Sequence, residues 1–269
     1  MESQIERAIS LGMEEMCFTN HVDYGIKSDW TDDAIKWRGG DGIGTPKEEL
    51  QPLTNVNYPE YFWKLYRMQK TYQDKVTIRK GLEFGIQTIP IKDYESLIKN
   101  YGDRLGFVLL SIHEIDNKEL WTGDFMEGLT QKEFNLKYYQ EILDVIKQFH
   151  DYQVLAHLDL VSRYDPKGPI AFEEVKDIQA EILETAIKDD KGIEINTSSW
   201  HYGLEDTTPS KEILQLYHDL GGKILTIGSG AHKPKYLGDH FEVAANILKE
   251  IGFKEYCTFE KGQPKFHTL

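Results

Sequence analysis

The stretch KILTIGSGAHKP, residues 223–234, contains the unit from which the whole chain is built. The glycine pair Gly221-Gly222 directly precedes it. Residues 223–227 form the apolar, β-branched run that is typical of a buried strand. Small residues follow this run, and His232 stands just beyond the predicted strand. This stretch therefore raises the question of what His232 does, and of whether Gly230 occupies the place of a functional residue.

The same alternation of strand and helix continues along the chain. Apolar residues at helical spacing predict helices over residues 2–11, 59–72, 91–100, 130–150, 171–188, 210–220 and 238–250. Extended apolar runs predict strands over residues 14–20, 76–85, 104–115, 152–160, 192–198 and 223–229, and residues 255–264 predict a last strand and turn. Strands that alternate with helices of this length favour βα units and a parallel sheet. We therefore predict an α/β barrel that forms one domain over residues 1–269.

Composition narrows the range of partners. The chain has a formal net charge of −14, which argues against nucleic acid or an anionic membrane as a partner. It contains no apolar run long enough to span a membrane, and its acidic N-terminus is unlike a signal peptide. The two cysteines, Cys17 and Cys257, lie in apolar runs that favour buried free thiols. These features predict a cytoplasmic protein whose anionic ligands need local positive charge.

Ionisable residues stand at or just past the C-terminal ends of the predicted strands. The set consists of His21, Glu83, His113, His157 and His232. In an α/β barrel these strand ends converge on one face, where active sites are built. Imidazoles and a carboxylate are the ligands that zinc, manganese and iron prefer. The set therefore predicts a divalent metal site at this face.

Each of these residues also has a purely structural interpretation. A single histidine at a strand end is more often a hydrogen-bonding or core residue than a ligand, and Glu83 could simply pair with Arg79 or Lys80. Four histidines from successive βα units are a different case, because independent coincidences multiply. As a set they favour metal binding.

Six short motifs resemble those of the polymerase and histidinol phosphatase (PHP) family, and most closely its histidinol-phosphatase branch. In chain order they are FTNHVDY, GLEFG, SIHEI, AHLDLVSRY, EINTS and IGSGAHKP, and the likeness extends over roughly residues 3–260. The resemblance implies a distorted (β/α)7 barrel of the TIM type with a trinuclear metal centre. It also implies a phosphatase that acts on a small phosphorylated metabolite, L-histidinol phosphate.

The resemblance assigns roles to individual residues. Glu83 would bridge two metal ions, and His113 and His157 would complete one of those sites. His21 and His232 would hold another ion. The guanidinium of Arg163 would hold the substrate phosphate. His232 or Asp159 could protonate the leaving alkoxide, and the favoured role of Asp159 is instead to orient a ligand histidine.

Two departures from the family pattern affect the expected metal centre. The family opens with a strand that carries His-x-His, and no histidine precedes His21 in this chain. The family motif Gly-Ser-Asp-Ala-His is here Gly-Ser-Gly-Ala-His, with Gly230 at the aspartate position. The first barrel strand is therefore expected to be missing, and fewer than three metal ions are expected. Some members carry a second phosphate-binding arginine just after the Asn-Thr pair. Residues 196–200 contain no arginine, so this second arginine is missing or moved.

Three functions remain open at this point. The first is a metal-dependent phosphomonoesterase, with weak or no turnover in this polypeptide because ligands are missing. The second is an inactive PHP relative that binds a phosphorylated ligand without turnover, which Gly230 favours. The third, a hydrolase of the amidohydrolase type, is disfavoured because no His-x-His is present. The long polar loop from Asp23 to Tyr58, with Trp30, Trp37 and Arg38, could cover the substrate or be a solvated insertion.

Overall fold

A computed structural model describes residues 1–31, 37–38, 51–52 and 54–269 of the chain, with backbone only at residues 37–38 and 51–52. The suggestion that Trp37 and Arg38 cover a substrate concerns side chains that lie outside the described residues.

Helices and strands alternate along the described chain. The helices are α1 Glu2–Ser10, α2 Tyr58–Thr71, α3 Ile91–Tyr101, α4 Gln131–Ile146, α5 Lys176–Lys188, α6 Ser198–His201, α7 Lys211–Asp219 and α8 Phe241–Ile251. The strands are β1 Glu15–Val22, β2 Trp37–Arg38, β3 Gln51–Pro52, β4 Thr77–Gly85, β5 Phe107–Ser111, β6 Glu114–Ile115, β7 Lys118–Glu119, β8 Val154–Leu155, β9 Gly192–Asn196, β10 Leu225–Gly228, β11 Glu255–Glu260 and β12 Gln263–Thr268.

Six strands form one curled parallel sheet in the order β1-β4-β5-β8-β9-β10. Every neighbouring pair in this sheet is parallel, so the C-terminal ends of the strands share one edge. The strand order follows the chain order, which is what consecutive right-handed βα units produce. The predicted α/β fold with a parallel sheet is confirmed.

The sheet has a separate apolar cluster on each face, because successive side chains of a strand point to opposite sides. In β5, Val108 and Leu110 belong to the large cluster that also contains the helices. Phe107 and Leu109 belong to a smaller cluster with Val154 and residues of β11. The smaller cluster therefore fills the concave side of the sheet, below the strand ends that carry the histidines.

The C-terminal hairpin β11–β12 closes the concave side at the N-terminal ends of the strands. Phe259 stacks on Phe107 with ring centroids 5.0 Å apart. Arg79, near the start of β4, bridges Glu15 at 3.0 Å and Glu260 at 3.2 Å. The hairpin thus lies opposite the strand ends at which the predicted site residues stand.

Most predicted elements occur with small shifts of their ends. The predicted strand 152–160 is reduced to Val154–Leu155, because the chain turns at His157, whose φ is +26°. The predicted helix 171–188 begins only at Lys176, after a 3-10 turn at Phe172–Glu174. The tail contains two paired strands rather than the predicted strand and turn. Within the described residues, no helix is both long and apolar enough to cross a membrane.

The hairpin should contribute strongly to stability. We expect Phe259→Ala to lower the free energy of unfolding by about 3–5 kcal/mol, because this buried ring loses its packing against Phe107. Phe266→Ala on the same hairpin is the matched control. Its ring is 44% exposed, so its change should stay within about 0.5 kcal/mol. Urea unfolding followed by circular dichroism measures both, and equal effects would contradict this account of the concave core.

Candidate active site

Parallel pairing of β1 with β4 places His21 directly beside Glu83. Residues that are paired in register point to the same face of a sheet, and the Nε2 of His21 lies 3.5 Å from the Oε2 of Glu83. The predicted convergence of these two strand-end residues therefore follows from strand register alone.

Glycines flank Glu83 on the concave face of β4. A side chain at Gly81 would meet the thiol of Cys17 at 2.9 Å, and one at Gly85 would overlap the carboxylate of Asp23 and the ring of His113. The sequence Gly-Leu-Glu-Phe-Gly therefore clears space on both sides of one carboxylate.

The carboxylate of Glu83 is the centre of the site. Its Oε1 lies 3.0 Å from the Nε2 of His157 and 3.1 Å from the Nε2 of His113. Burial alone would raise the pKa of Glu83, but the charge of His21 and the hydrogen bonds of His113 and His157 hold it well below its usual value. Glu83 is thus an anion surrounded by three imidazoles.

His113 lies between two carboxylates. Its Nδ1 is 2.8 Å from the Oδ1 of Asp23, while its Nε2 faces Glu83 and the hydroxyl of Ser111, which is 3.0 Å away. Burial alone would lower the pKa of His113, but its hydrogen bonds to Asp23 and Glu83 outweigh burial and raise the pKa well above the usual value. In this state the imidazolium supplies positive charge between two buried anions.

Asp23 is the functional residue that the sequence analysis missed. Its second oxygen accepts from the Nζ of Lys27 at 2.6 Å, and its backbone N–H donates to Asn55. Asp23 stands two residues after His21, so alternation along an extended segment was the available signal. A carboxylate on Nδ1 fixes the ring orientation of His113 and leaves its Nε2 for a metal ion once the proton is lost.

The residues fit a divalent metal ion. Two groups of three donors have all their ligand atoms within 4.8 Å of one another: Glu83, His113 and His157, and His21, Asp23 and His113. The first group is the one that the sequence predicted. Three nitrogen and oxygen donors with a remaining open position are typical of catalytic zinc sites.

His157 occupies a strained backbone conformation. A φ of +26° is rare for a residue with a side chain, and such strain tends to occur at functional sites. The turn directs its Nε2 to Glu83, while its backbone N–H donates to Glu194 at 3.3 Å. The predicted strand-end position of His157 is therefore correct, although the strand itself ends two residues earlier.

His232 lies at the rim of the site. Its ring is 5.4 Å from that of His21, measured between centroids, and it belongs to neither three-ligand group of the described residues. His232 also lines a cavity of about 190 Å³ together with Ser198, Tyr202 and Lys233. It is brought to the predicted face, and it borders the space beside the buried donors.

Arg163 lies at the end of a 3-10 turn, Leu160–Arg163. Its Nη2 donates to the Oγ of Ser198 at 3.0 Å, and its guanidinium lies 4.0 Å from the centre of the Tyr202 ring. Among the residues that the structure describes, no carboxylate forms an ion pair with it. A guanidinium that forms no ion pair within the described chain, in a protein of net charge −14, is a source of local positive charge.

Asp159 does not contact a histidine in the described part of the chain. Its Oδ2 accepts from the backbone N–H of Ser210 at 2.9 Å, at the start of α7. Burial is the main cause that raises its pKa to about 7. Asp159 therefore holds the turn before α7, and the expected role of orienting a ligand histidine belongs to Asp23 instead.

Comparison with known proteins gives the family. The family model described as the PHP domain matches residues 1–198. The chain belongs to the PHP domain family. The histidinol-phosphatase of Lactococcus lactis is 32% identical over 260 residues, covering 95% of this chain and 86% of that protein. The histidinol-phosphatase of Saccharomyces cerevisiae is 22% identical and covers 98% of this chain and 87% of its own length.

Solved structures of the PHP fold superpose on this chain. A crystal structure of the Lactococcus lactis histidinol phosphate phosphatase, complexed with zinc, L-histidinol and phosphate, has a TM-score of 0.80 at 29% identity. The match covers 98% of this chain and 92% of that one. A structure from Listeria monocytogenes, 20% identical, has a TM-score of 0.72 over 90% of this chain and supports the fold alone. The family resemblance and the TIM-like α/β fold are confirmed.

The hydrogen bond between Asp23 and His113 should govern metal affinity in this PHP domain. We expect Gly85→Ala to weaken zinc binding about 10- to 100-fold, because the added methyl group would overlap both partners of that hydrogen bond. Gly106→Ala is the matched control, since a methyl group there would meet its nearest neighbours at 3.6 Å. Competition with a chromophoric chelator measures the affinity.

A variant without steric cost separates orientation from misfolding. Asp23→Asn keeps the shape of the side chain and removes its charge, so it should weaken zinc binding to a similar degree. Asp29→Asn is its control, because Asp29 accepts from Tyr24 and not from a histidine. Unchanged zinc affinity in folded Asp23→Asn would show that Asp23 does not orient His113.

Proposed function

We propose that this PHP domain is a metal-dependent phosphomonoesterase that hydrolyses histidinol phosphate to histidinol and phosphate. The observation that carries the proposal is the convergence of three histidines on Glu83 beside an arginine without a carboxylate partner in the described chain. The similarity to proteins named histidinol-phosphatase supports the choice of substrate.

The metal ligands are proposed from the geometry of the donors. Glu83, His113 and His157 would hold one ion, and His21 with His232 would contribute to another, so that fewer than three ions bind. Zinc, manganese and iron suit these donors, and zinc is the metal in the Lactococcus lactis complex. A bound divalent ion would supply a nucleophilic water at neutral pH and positive charge opposite the phosphoryl oxygens.

Residues of the chain itself would hold the substrate. Arg163 would bind two phosphoryl oxygens, since a guanidinium matches a phosphate in a bidentate manner. Where it does not hold an ion, His232 at the rim would donate a proton to the leaving alkoxide. The cavity of about 190 Å³ beside His232 and Ser198 would receive the organic part of a small phosphomonoester.

The proposed partner is a small phosphorylated metabolite rather than nucleic acid or a membrane surface. The net charge of −14 repels polyanions, whereas a small phosphate ester can be held by a local arginine. Cys17 and Cys257 are free thiols, which fits the proposed cytoplasmic location.

Phosphate release tests the proposed activity. We expect release from histidinol phosphate only with added Zn²⁺ or Mn²⁺, and a loss of at least about a thousandfold in kcat/KM for His157→Ala, because Glu83 would lose a partner ligand. His150→Ala is the control, since that side chain lies beyond the end of α4, is exposed and pairs with Asp189. Metal-independent release would contradict the proposal, and phosphate binding without any release would favour the inactive relative.

Metal content tests the proposed ligand set. Elemental analysis of protein dialysed after loading should give fewer than three metal ions per chain, because Gly230 offers no ligand atom. The variant Glu83→Gln should lose the ion that is shared with His113 and His157, since that proposed site depends on the carboxylate. Three tightly bound ions would show that other residues provide the missing ligands.

A further inference from the structure

Hydrogen bonds connect the proposed metal site to the proposed phosphate-binding arginine through β9. The Oε2 of Glu194 accepts from the backbone N–H of His157 at 3.3 Å and from the Nδ2 of Asn196 at 3.0 Å. The Oδ1 of Asn196 accepts from the backbone N–H of Ser198 at 2.9 Å. The Oγ of Ser198 accepts from Arg163 at 3.0 Å. Glu194, Asn196 and Ser198 are all buried, so the first three bonds are shielded from water, and the bond from Arg163 is partly shielded.

Two glycines, one at the end of β10 and one two residues beyond it, make room for this network. A side chain at Gly228 would overlap the carboxylate of Glu194. The first atom of a side chain at Gly230 would lie 3.0 Å from the Oδ1 of Asn196 and 3.1 Å from the Oγ of Ser198. Gly230 also has a φ of +52°, which a residue with a side chain adopts only at a cost. A side chain at residue 230 would therefore press on Asn196 and Ser198, which would have to shift by a few tenths of an ångström.

The position of Arg163 depends on few contacts. Its guanidinium is held by Ser198 and by the ring of Tyr202, and its buried Nε has no hydrogen-bond partner among the described residues. An arginine that binds phosphate in a bidentate manner needs a fixed orientation. If the free protein does not provide it, the free energy cost of ordering the side chain is subtracted from the phosphate affinity. Ser198 provides the hydrogen bond that sets this orientation.

We infer that Asn196 and Ser198 are positioning residues that hold Arg163 for the phosphate, and that residue 230 is glycine because a side chain there would displace them. The inference rests on the proposed function in one respect, namely that Arg163 binds the phosphate. It gives Gly230 a positive role at the position where the family resemblance expects a metal ligand.

The affinity of zinc-loaded protein for inorganic phosphate, measured by isothermal titration calorimetry, tests the role of Ser198. Ser198→Ala should weaken phosphate binding about tenfold, because a hydrogen bond to a charged group is lost. Ser199→Ala is the matched control, since this neighbouring buried hydroxyl has no hydrogen-bond partner in the described chain. Zinc affinity should stay unchanged in both variants.

A double-mutant cycle separates positioning from a general structural effect. In an Arg163→Met background, Ser198→Ala should cause no further loss of phosphate affinity, because the group that it positions is absent. Asn196→Ala should behave like Ser198→Ala in the same cycle. Equal losses with and without Arg163 would overturn the inference, as would a zinc-loaded protein that binds no phosphate.

Variants of Gly230 test the second half of the inference. Gly230→Ala and Gly230→Asp should both weaken phosphate binding about tenfold, and neither should raise the number of zinc ions per chain. A Gly230→Asp variant that binds an additional zinc ion with unchanged phosphate affinity would overturn the inference. Hydrolysis of histidinol phosphate is measured in parallel. Phosphate binding that depends on Ser198, in a protein that shows no hydrolysis, would contradict the proposed activity but support the positioning role.

Discussion

The buried carboxylate of Glu83 is the constraint on which the site depends. An anion in the interior of a protein is costly unless opposite charge or hydrogen-bond donors surround it. His21 reaches it from β1, His113 from the turn after β5, and His157 from the turn after β8. The strand register, the strained turn at His157 and the glycines on the concave face of β4 all serve to place these donors around one side chain.

Charge at the site is organised in two halves. The metal half contains two carboxylates, Asp23 and Glu83, with the imidazolium of His113 between them. The other half contains Arg163, which forms no ion pair with a carboxylate in the described chain. A divalent ion in the first half would offset the two carboxylates, and the guanidinium in the second half would provide positive charge for a phosphate. The overall acidity of the protein then matters less, because these local charges lie close to the ligand and in a poorly screened environment.

Strand β9 ties the two halves together. The carboxylate of Glu194 accepts hydrogen bonds from the backbone of His157 and from Asn196. Asn196 in turn accepts from the backbone of Ser198, whose hydroxyl accepts from Arg163. A rigid strand is a better support for such a connection than a loop, because its side chains are fixed by register and packing. These contacts change the interpretation of Gly230. The sequence alone presents it as a lost ligand, whereas its neighbours show that the space beside it is already in use.

The sequence by itself determined the α/β class, the order of the strands and the side chains that stand at their ends. These are local properties, since apolar runs, periodicity and flanking glycines are read from neighbouring residues, and the parallel sheet then brings the strand ends to one edge. Only the tertiary structure decided that Asp23 holds His113, that Asp159 holds the start of α7, and that Ser198 holds Arg163. Asp23 and His113 are 90 residues apart, and their contact depends on the relative path of two chain segments beyond β1 and β5. No local pattern encodes that distance, because it is set by packing across the whole sheet.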